Sequence, residues 1–220
     1  MRKIAAFIAL ITTAVMTGQQ LETENSSNSF AGGINSIWQF HTFKAGDEEI
    51  KGDPFLFADW NKGGKGYSGD RVVDLGRVNY NIFTDEFGSM KTKDSVFFFN
   101  KRMVDSITVR GRSFHNYNNK YYEVLQGGAK ASLLKRYEIE IIEGMFNPTD
   151  GTTEKSRIKK TDDYYLKKGG QITLFKPSKS SFQTLFGSDE SAMKKQMKKE
   201  KLSTKKEKDI IRIFELYNQI

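Results

Sequence analysis

Between residues 64 and 175 apolar and polar side chains alternate with a period of two, and turn-forming pairs break the alternation at short intervals. Val78, Tyr80 and Ile82 alternate with Asn79 and Asn81, and Tyr137, Ile139 and Ile141 with Glu138 and Glu140. Such a period sends successive side chains to opposite faces of a strand, giving one dry and one wet face. Shorter apolar runs lie at 95–99, 107–109, 121–125, 164–166 and 172–174. The pairs Asn118-Asn119, Gly127-Gly128 and Gly169-Gly170 accept the positive φ of tight hairpins. An aromatic share of 13% suits the same reading, because flat rings pack well on a pleated surface. The expectation is an antiparallel meander of about eight to ten strands. It must twist and curl, as a curled sheet or a partly open barrel.

At residue 178 the period changes to helical. Ser178 is placed to cap a short helix carrying Phe182, Leu185 and Phe186 on one face, with Gly187 ending it. Met193 and Met197 share a face in the next helix. Thr204-Lys205-Lys206-Glu207 matches a capping box ahead of Ile210, Ile213, Phe214 and Tyr217. A stripe that wide needs a surface to bury against, and the sheet is that surface. The fold class expected is α+β, mainly an antiparallel β meander with C-terminal amphipathic helices.

The N-terminal region reads differently. Arg2 and Lys3 precede an uncharged, mostly apolar run over 4–15 and a small residue at Gly18, the pattern of a secretory signal peptide. A twelve-residue helix spans about 18 Å, short against the ~30 Å of bilayer hydrocarbon. Residues 1–18 are therefore expected to be removed, and 19–36 to form a flexible polar lead-in. The single β-rich domain follows over 37–220, with its helical cap from 178. No later run is long enough to cross a membrane as a helix. The expected location is outside the cytoplasm, in the periplasm first, with outer-membrane association or release as alternatives.

Composition removes several chemistries. The chain has no cysteine and two histidines, His41 and His115. Disulfides, thiolate zinc sites and thiol nucleophiles are excluded, and no multi-histidine metal site can form. Ser113 and His115 lie two apart, but no nucleophile elbow accompanies them. Glu138 with Glu140, and Asp162 with Asp163, pair carboxylates in a way any solvated strand does. Residues 61–66 (NKGGKG) are rich in Gly and Lys without the spacing of a phosphate loop, and 47–49 (DEE) lacks the spaced ligands of a calcium loop. No catalytic set is legible, and no cofactor or metal is expected. Residues 144–163 have almost no apolar side chain after Phe146 and read as a long mobile loop.

The largest polar anomaly is basic. Lys194, Lys195, Lys198, Lys199, Lys201, Lys205, Lys206 and Lys208 fall within fifteen residues, in a chain of net charge +8. They are the candidate anion-binding residues. The cluster has no aromatic to stack a base and no arginine fork for bidentate phosphate recognition, which speaks against nucleic acid.

Several segments carry a family likeness. They are Gly52-Asp53-Pro54-Phe55-Leu56-Phe57-Ala58-Asp59-Trp60, then Val78-Asn79-Tyr80-Asn81-Ile82-Phe83 followed by Asp85-Glu86-Phe87. Next come Tyr122-Glu123-Val124-Leu125 and Leu133-Leu134-Lys135-Arg136-Tyr137, and last Lys198-Lys199-Glu200-Lys201-Leu202-Ser203 running on to Asp209-Ile210-Ile211. In this layout the chain resembles uncharacterised exported β-rich proteins of the Bacteroidota over roughly residues 52–220. The resemblance implies a fold and an exported location. It implies no activity and carries over no catalytic residue.

The resulting expectation is a non-catalytic, exported envelope protein acting as a binding or assembly module. Its partner would be an envelope protein or an anionic envelope polymer. A carrier of small apolar ligands is the first alternative and requires an apolar cavity of several hundred Å³. A hydrolase is the second and requires His115 or a carboxylate pair to meet other polar groups in a cleft.

Overall fold

A computed structural model describes residues 38–39 (backbone only), 50–92, 95–149 and 151–220. The expected signal peptide, the polar lead-in and the acidic segment 47–49 lie outside the described residues. The strands are β1 (Trp38–Gln39), β2 (Gly64–Ser68), β3 (Arg71–Leu75), β4 (Val78–Asn81), β5 (Glu86–Thr92), β6 (Ser95–Phe99) and β7 (Ser106–Val109). They continue as β8 (Arg112–Tyr117), β9 (Lys120–Gln126), β10 (Ser132–Ile142), β11 (Phe146–Asn147), β12 (Thr152–Thr153), β13 (Arg157–Lys168) and β14 (Gln171–Leu174). Three helices close the chain: α1 (Lys179–Phe186), α2 (Glu190–Lys199) and α3 (Glu207–Gln219).

The fold is α+β and mainly antiparallel, as the two-residue period predicts. Apart from β11 and β12, which pair with each other, the strands divide between an eight-stranded sheet, ordered β14-β13-β10-β9-β8-β7-β2-β3, and a four-stranded sheet, ordered β1-β6-β5-β4. Strands β14 and β3 end the larger sheet without pairing to each other, so it is not closed into a barrel. The meander is interrupted because the chain leaves the larger sheet after β3. Arg77, at φ 34°, turns it into β4 to begin the second layer. The hairpins at Asn118-Asn119 and Gly169-Gly170 have positive φ at both central residues, the conformation that matches strand twist.

Two apolar cores result. The first lies between the sheets and contains Phe57, Leu75, Val78, Tyr80, Phe87, Phe99, Ile107, Val109, Phe114 and Tyr121. The second lies under the helices and joins Leu133 and Phe175 to Phe182, Phe186, Met193, Ile210, Ile213 and Phe214. The helical expectations hold in α1, where Ser178 accepts from the Ser181 N–H at 3.1 Å. Asn218 then fastens the end of α3. Its Oδ1 accepts from the Lys130 and Ala131 N–H groups at 3.0 and 3.1 Å, and its Nδ2 donates to the Ala131 carbonyl at 2.8 Å. Gly128 makes room for this amide, since a Cβ there would sit 2.0 Å from Asn218 Cγ.

Three expectations change. Asn79 and Asn81 do not face water; both are fully buried. Residues 53–57 lie along the free edge of β4, and Asn79 bonds the Phe57 backbone through Oδ1 at 3.0 Å and Nδ2 at 2.8 Å. A polar side chain that satisfies a neighbouring backbone can be buried, so the alternation marks two interior faces. Residues 144–163 are not one long loop. Arg157 to Asp163 pair with β10 from Ile142 back to Arg136, and β11 with β12 makes a small hairpin beyond. This ribbon carries little apolar surface because cross-strand charges hold part of it, as Lys159 does Glu140 at 2.9 Å. The box at 204–207 does not form either: the residue preceding α3 is Lys206, with no side-chain cap.

Candidate functional site

The predicted lysines come together on the cap. In α2, Met193 is fully buried and Met197 is packed against the helical core. At 3.6 residues per turn this turns Lys194, Lys195, Lys198 and Lys199 to the opposite, exposed side. Helix α2 ends on a left-handed residue, Lys201 at φ 54°. The Leu202 N–H bonds the Met197 carbonyl at 2.9 Å and the Lys201 N–H the Lys198 carbonyl at 3.3 Å, the Schellman pattern. The turn points Lys201 outward and tucks Leu202 against the core beside Met197. Lys205 and Lys206 follow on the approach to α3 and Lys208 lies in its first turn, all exposed.

The acidic residues threaded through this segment do not neutralise it. Asp189 is held by Lys130 at 2.9 Å and Glu190 by Lys194 and Gln183. Glu200 receives both Nε and Nη2 of Arg212, at 2.8 and 2.9 Å. The Asp209 carboxylate accepts from the Ser203 N–H at 3.1 Å. Glu207 turns inward to Lys135 and accepts from the Tyr164 hydroxyl at 2.7 Å. Every carboxylate from 189 to 209 is thus engaged. Apart from Lys194, the eight candidate lysines have no side-chain partner among the described residues. Like charges four apart, as in Lys194–Lys198 and Lys195–Lys199, cost an isolated helix about 0.2–0.5 kcal/mol each. The fold retains that cost.

Beneath the cap lies a polar seam that sequence reasoning missed. In β10, Leu133 belongs to the helical core and Tyr137 and Ile139 pack on the inter-sheet core. Lys135 shares their strand face between them, and is itself buried. Its ammonium meets Glu207 from α3 and Asp162 from β13, the latter at 3.6 Å. Alongside, Arg112 grips Glu123 bidentately at 2.7 Å through Nε and Nη2, and Tyr137 donates to the same carboxylate at 2.5 Å. Burial raises the Tyr137 and Tyr164 hydroxyls, and their carboxylate partners raise them further. Burial also pushes the Glu207 carboxyl up, but the bonds from Lys135 and Tyr164 outweigh it and hold its pKa below the usual carboxylate value. The one available signal was a lysine inside an apolar run, Leu133-Leu134-Lys135, at a position the strand period assigns to the interior.

The other candidates scatter. Burial and Lys167 lower the pKa of His115, which stacks on Tyr117 at 5.8 Å. No hydrogen bond joins it to Ser113 among the described residues. Glu138 pairs with Arg136 at 2.8 Å and Glu140 with Lys159, while Asp162 goes to Lys135, so neither carboxylate pair forms a dyad. The glycines at 63 and 64 serve backbone packing rather than an anion. A Cβ on Gly64 would lie 2.4 Å from the Thr108 carbonyl oxygen, and one on Gly63 2.6 Å from that of Leu75. Among the described residues no group of three or more His, Asp or Glu side chains could hold a metal ion. No described helix is long and apolar enough to cross a membrane. The space between the sheets is filled by Tyr80, Phe87, Phe99, Phe114 and Tyr121. A cleft beside it, lined by Tyr67, Val73, Leu75, Phe99 and Val104, holds about 10 Å³, room for a single water at most. Comparisons with protein-family models, with curated proteins and with solved structures return no match.

Proposed function

We infer that this chain is an exported, non-catalytic module of the cell envelope that binds a polyanionic partner through its helical cap. One observation carries the reading: the carboxylates from 189 to 209 are all engaged while the lysines among them stay exposed and, Lys194 aside, have no side-chain partner among the described residues. A surface that only needed solubility would gain from mixing its charges. Here the mixing present in the sequence is undone by the fold. The sheet and its two cores act as a rigid mount for the cationic face. The signal-like segment over 4–15 supports the exported location.

The test is capture of envelope components by the tagged chain at low and high salt, set against a variant with Lys195, Lys198, Lys199 and Lys201 each changed to Gln. A partner retained at low salt by the parent and lost by the variant is the expected result. Recovery of nothing across the salt series rejects the reading.

A further inference from the structure

We propose that the partner of the lysine face is the anionic phosphate layer of a lipid bilayer, against which the cap lies without inserting. The proposal rests on the binding-module reading above and names its target. Three features select a plane of phosphates over a linear polyanion. First, the lysines of α2 lie on the outward side of a helix whose other side is buried through Met193 and Met197, so the face is convex. Proteins that follow a single strand do so in a groove lined with aromatic rings, and this face has neither. Second, every candidate cation is a lysine. A lysine is a compact, mobile point charge that meets phosphates in any orientation, whereas fixed bidentate recognition selects arginine. Arg212, the arginine of α3, is committed to Glu200 and Glu215. Third, among the described residues no large apolar side chain is exposed between 187 and 208; the exposed ones are elsewhere, such as Val72, Phe83 and Phe146. Contact is therefore purely electrostatic. It lacks the apolar face with which amphipathic helices enter the acyl region.

Clusters of four to eight lysines beside a membrane gain binding roughly in proportion to their number, and the gain vanishes within a Debye length. The engaged carboxylates matter here. Glu200 and Glu207 lie inside the lysine run, and left free they would repel the same phosphates. Arg212 and Lys135, from outside the run, hold them back.

The full chain would be sedimented with vesicles of phosphatidylcholine, alone or mixed with phosphatidylglycerol. Neutral vesicles measure whatever the apolar segment over 4–15 contributes, which all variants share. The parent should bind the anionic vesicles in preference and release them between about 0.05 M and about 0.5 M salt. The combined Lys195→Gln, Lys198→Gln, Lys199→Gln and Lys201→Gln variant should bind at least about tenfold more weakly. A control carrying Lys62→Gln, Lys65→Gln, Lys91→Gln and Lys120→Gln loses the same charge from other exposed sites and should stay within about twofold of the parent. Thermal melts of all three chains verify folding. The proposal is overturned if the parent shows no preference for anionic vesicles, if binding survives high salt, or if the two variants fall equally. Should the vesicle arm fail while the cap variant still loses a captured envelope component, the lipid target falls and the module reading stands. Failure of both arms removes both.

Discussion

The two cores rest on the same face of one sheet and are built by different means. The inter-sheet core is made by strands distant in sequence. Tyr80 stacks on Phe87 at 4.7 Å, and Phe87 meets Phe114 and Tyr121 edge-on at 5.1 and 4.9 Å. Phe87, Phe114 and Tyr121 lie on strands paired on both sides, and Tyr80 on β4 is held by β5 and by the Leu56 N–H, so this core cannot open without breaking backbone bonds. The helical core is made largely by the last part of the chain. Phe175 meets Phe182 and Phe214 edge-on at 5.2 and 5.6 Å, and three short helices supply most of the rest. It has a detachable side. Between the cores the sheet carries not a continuation of the oil but Lys135, Glu123 and Arg112. The seam shows how one sheet can seat two layers: the charges mark where one ends and the other begins, and Glu207 indexes α3 to that boundary.

The most severe way to break the comparison is to stop the chain after Pro177. This uncovers Leu133, Leu166 and Phe175 and removes the side chains that α1, α2 and α3 bury. At about 1.5–3 kcal/mol for each large apolar side chain, the loss exceeds the 5–15 kcal/mol by which a typical domain is stable. The shortened chain should lose its cooperative melt. Trp60 packs on Phe55 at 4.7 Å and reports on the inter-sheet half, while circular dichroism follows the whole. A transition kept at an unchanged temperature by both probes would show that the cores are independent.

The seam allows a finer cut. Changing Glu207→Gln together with Asp162→Asn leaves the Lys135 ammonium buried without a counter-charge. Breaking a fully buried pair costs about 3–5 kcal/mol. Both carboxylate side chains are about two fifths exposed, so the expected cost is smaller, about 2 kcal/mol. Replacing the lysine itself, Lys135→Met, removes the charge, keeps the volume and leaves carboxylates that water can reach. It should fall within about 1 kcal/mol of the parent, or above it. Urea titrations of the three chains check the order. If Lys135→Met is the worst of them, the seam holds the layers together rather than separating them.

That asymmetry also bears on what could be read beforehand. The inward Tyr137 and Ile139, the Asn118-Asn119 and Gly169-Gly170 turns, and the Met193/Met197 and Ile210/Ile213/Tyr217 stripes were legible because local period agrees with packing or turn geometry in them. Ile141, on the same alternation, is exposed, and Gly127-Gly128 is not a positive-φ turn. The seam was not legible. A buried ion pair is specified by residues far apart in the chain; Lys135 stands out in its apolar run, but nothing local to Glu207 or Asp162 marks either as its partner. Asn79 was misread for the same reason, since its partner is the Phe57 backbone, while Asn81 turns its Oδ1 to the Phe83 and Thr84 N–H groups of the turn that follows β4. The ribbon end of β10 and β13 was missed because its pairing needs no dry face. The lysine run was plain in the sequence; the engagement of its acids was not, because Arg212, Lys135 and Lys130 reach them from other elements.

Acid should loosen the helical side first. The Glu207 carboxyl has a folded pKa below its unfolded value, so it stabilises the fold above about pH 4.3. That contribution is lost as pH falls through the folded value. The melting temperature of the parent should therefore drop between about pH 5 and pH 3 more steeply than that of Glu207→Gln, and the two should converge at the acid end. Parallel curves across the interval would remove Glu207 from the coupling of α3 to the sheet.

The smallest effect tests the mount of the lysine face. Lys201 adopts φ 54° at the end of α2, a conformation that costs an L-residue about 1–2 kcal/mol and glycine nothing. Glycine loses more backbone entropy on folding, which returns roughly 0.5–1 kcal/mol. Lys201→Gly should thus raise stability by up to about 1 kcal/mol while removing one unpaired cation from the turn. Lys201→Ala removes the same cation without relieving the backbone and should leave stability nearly unchanged. If glycine stabilises and both variants weaken attachment to anionic vesicles equally, the lysine is kept at a strained position for its charge. If glycine leaves attachment intact, the left-handed turn is only the stop signal of α2, and the cationic face begins and ends on the helix.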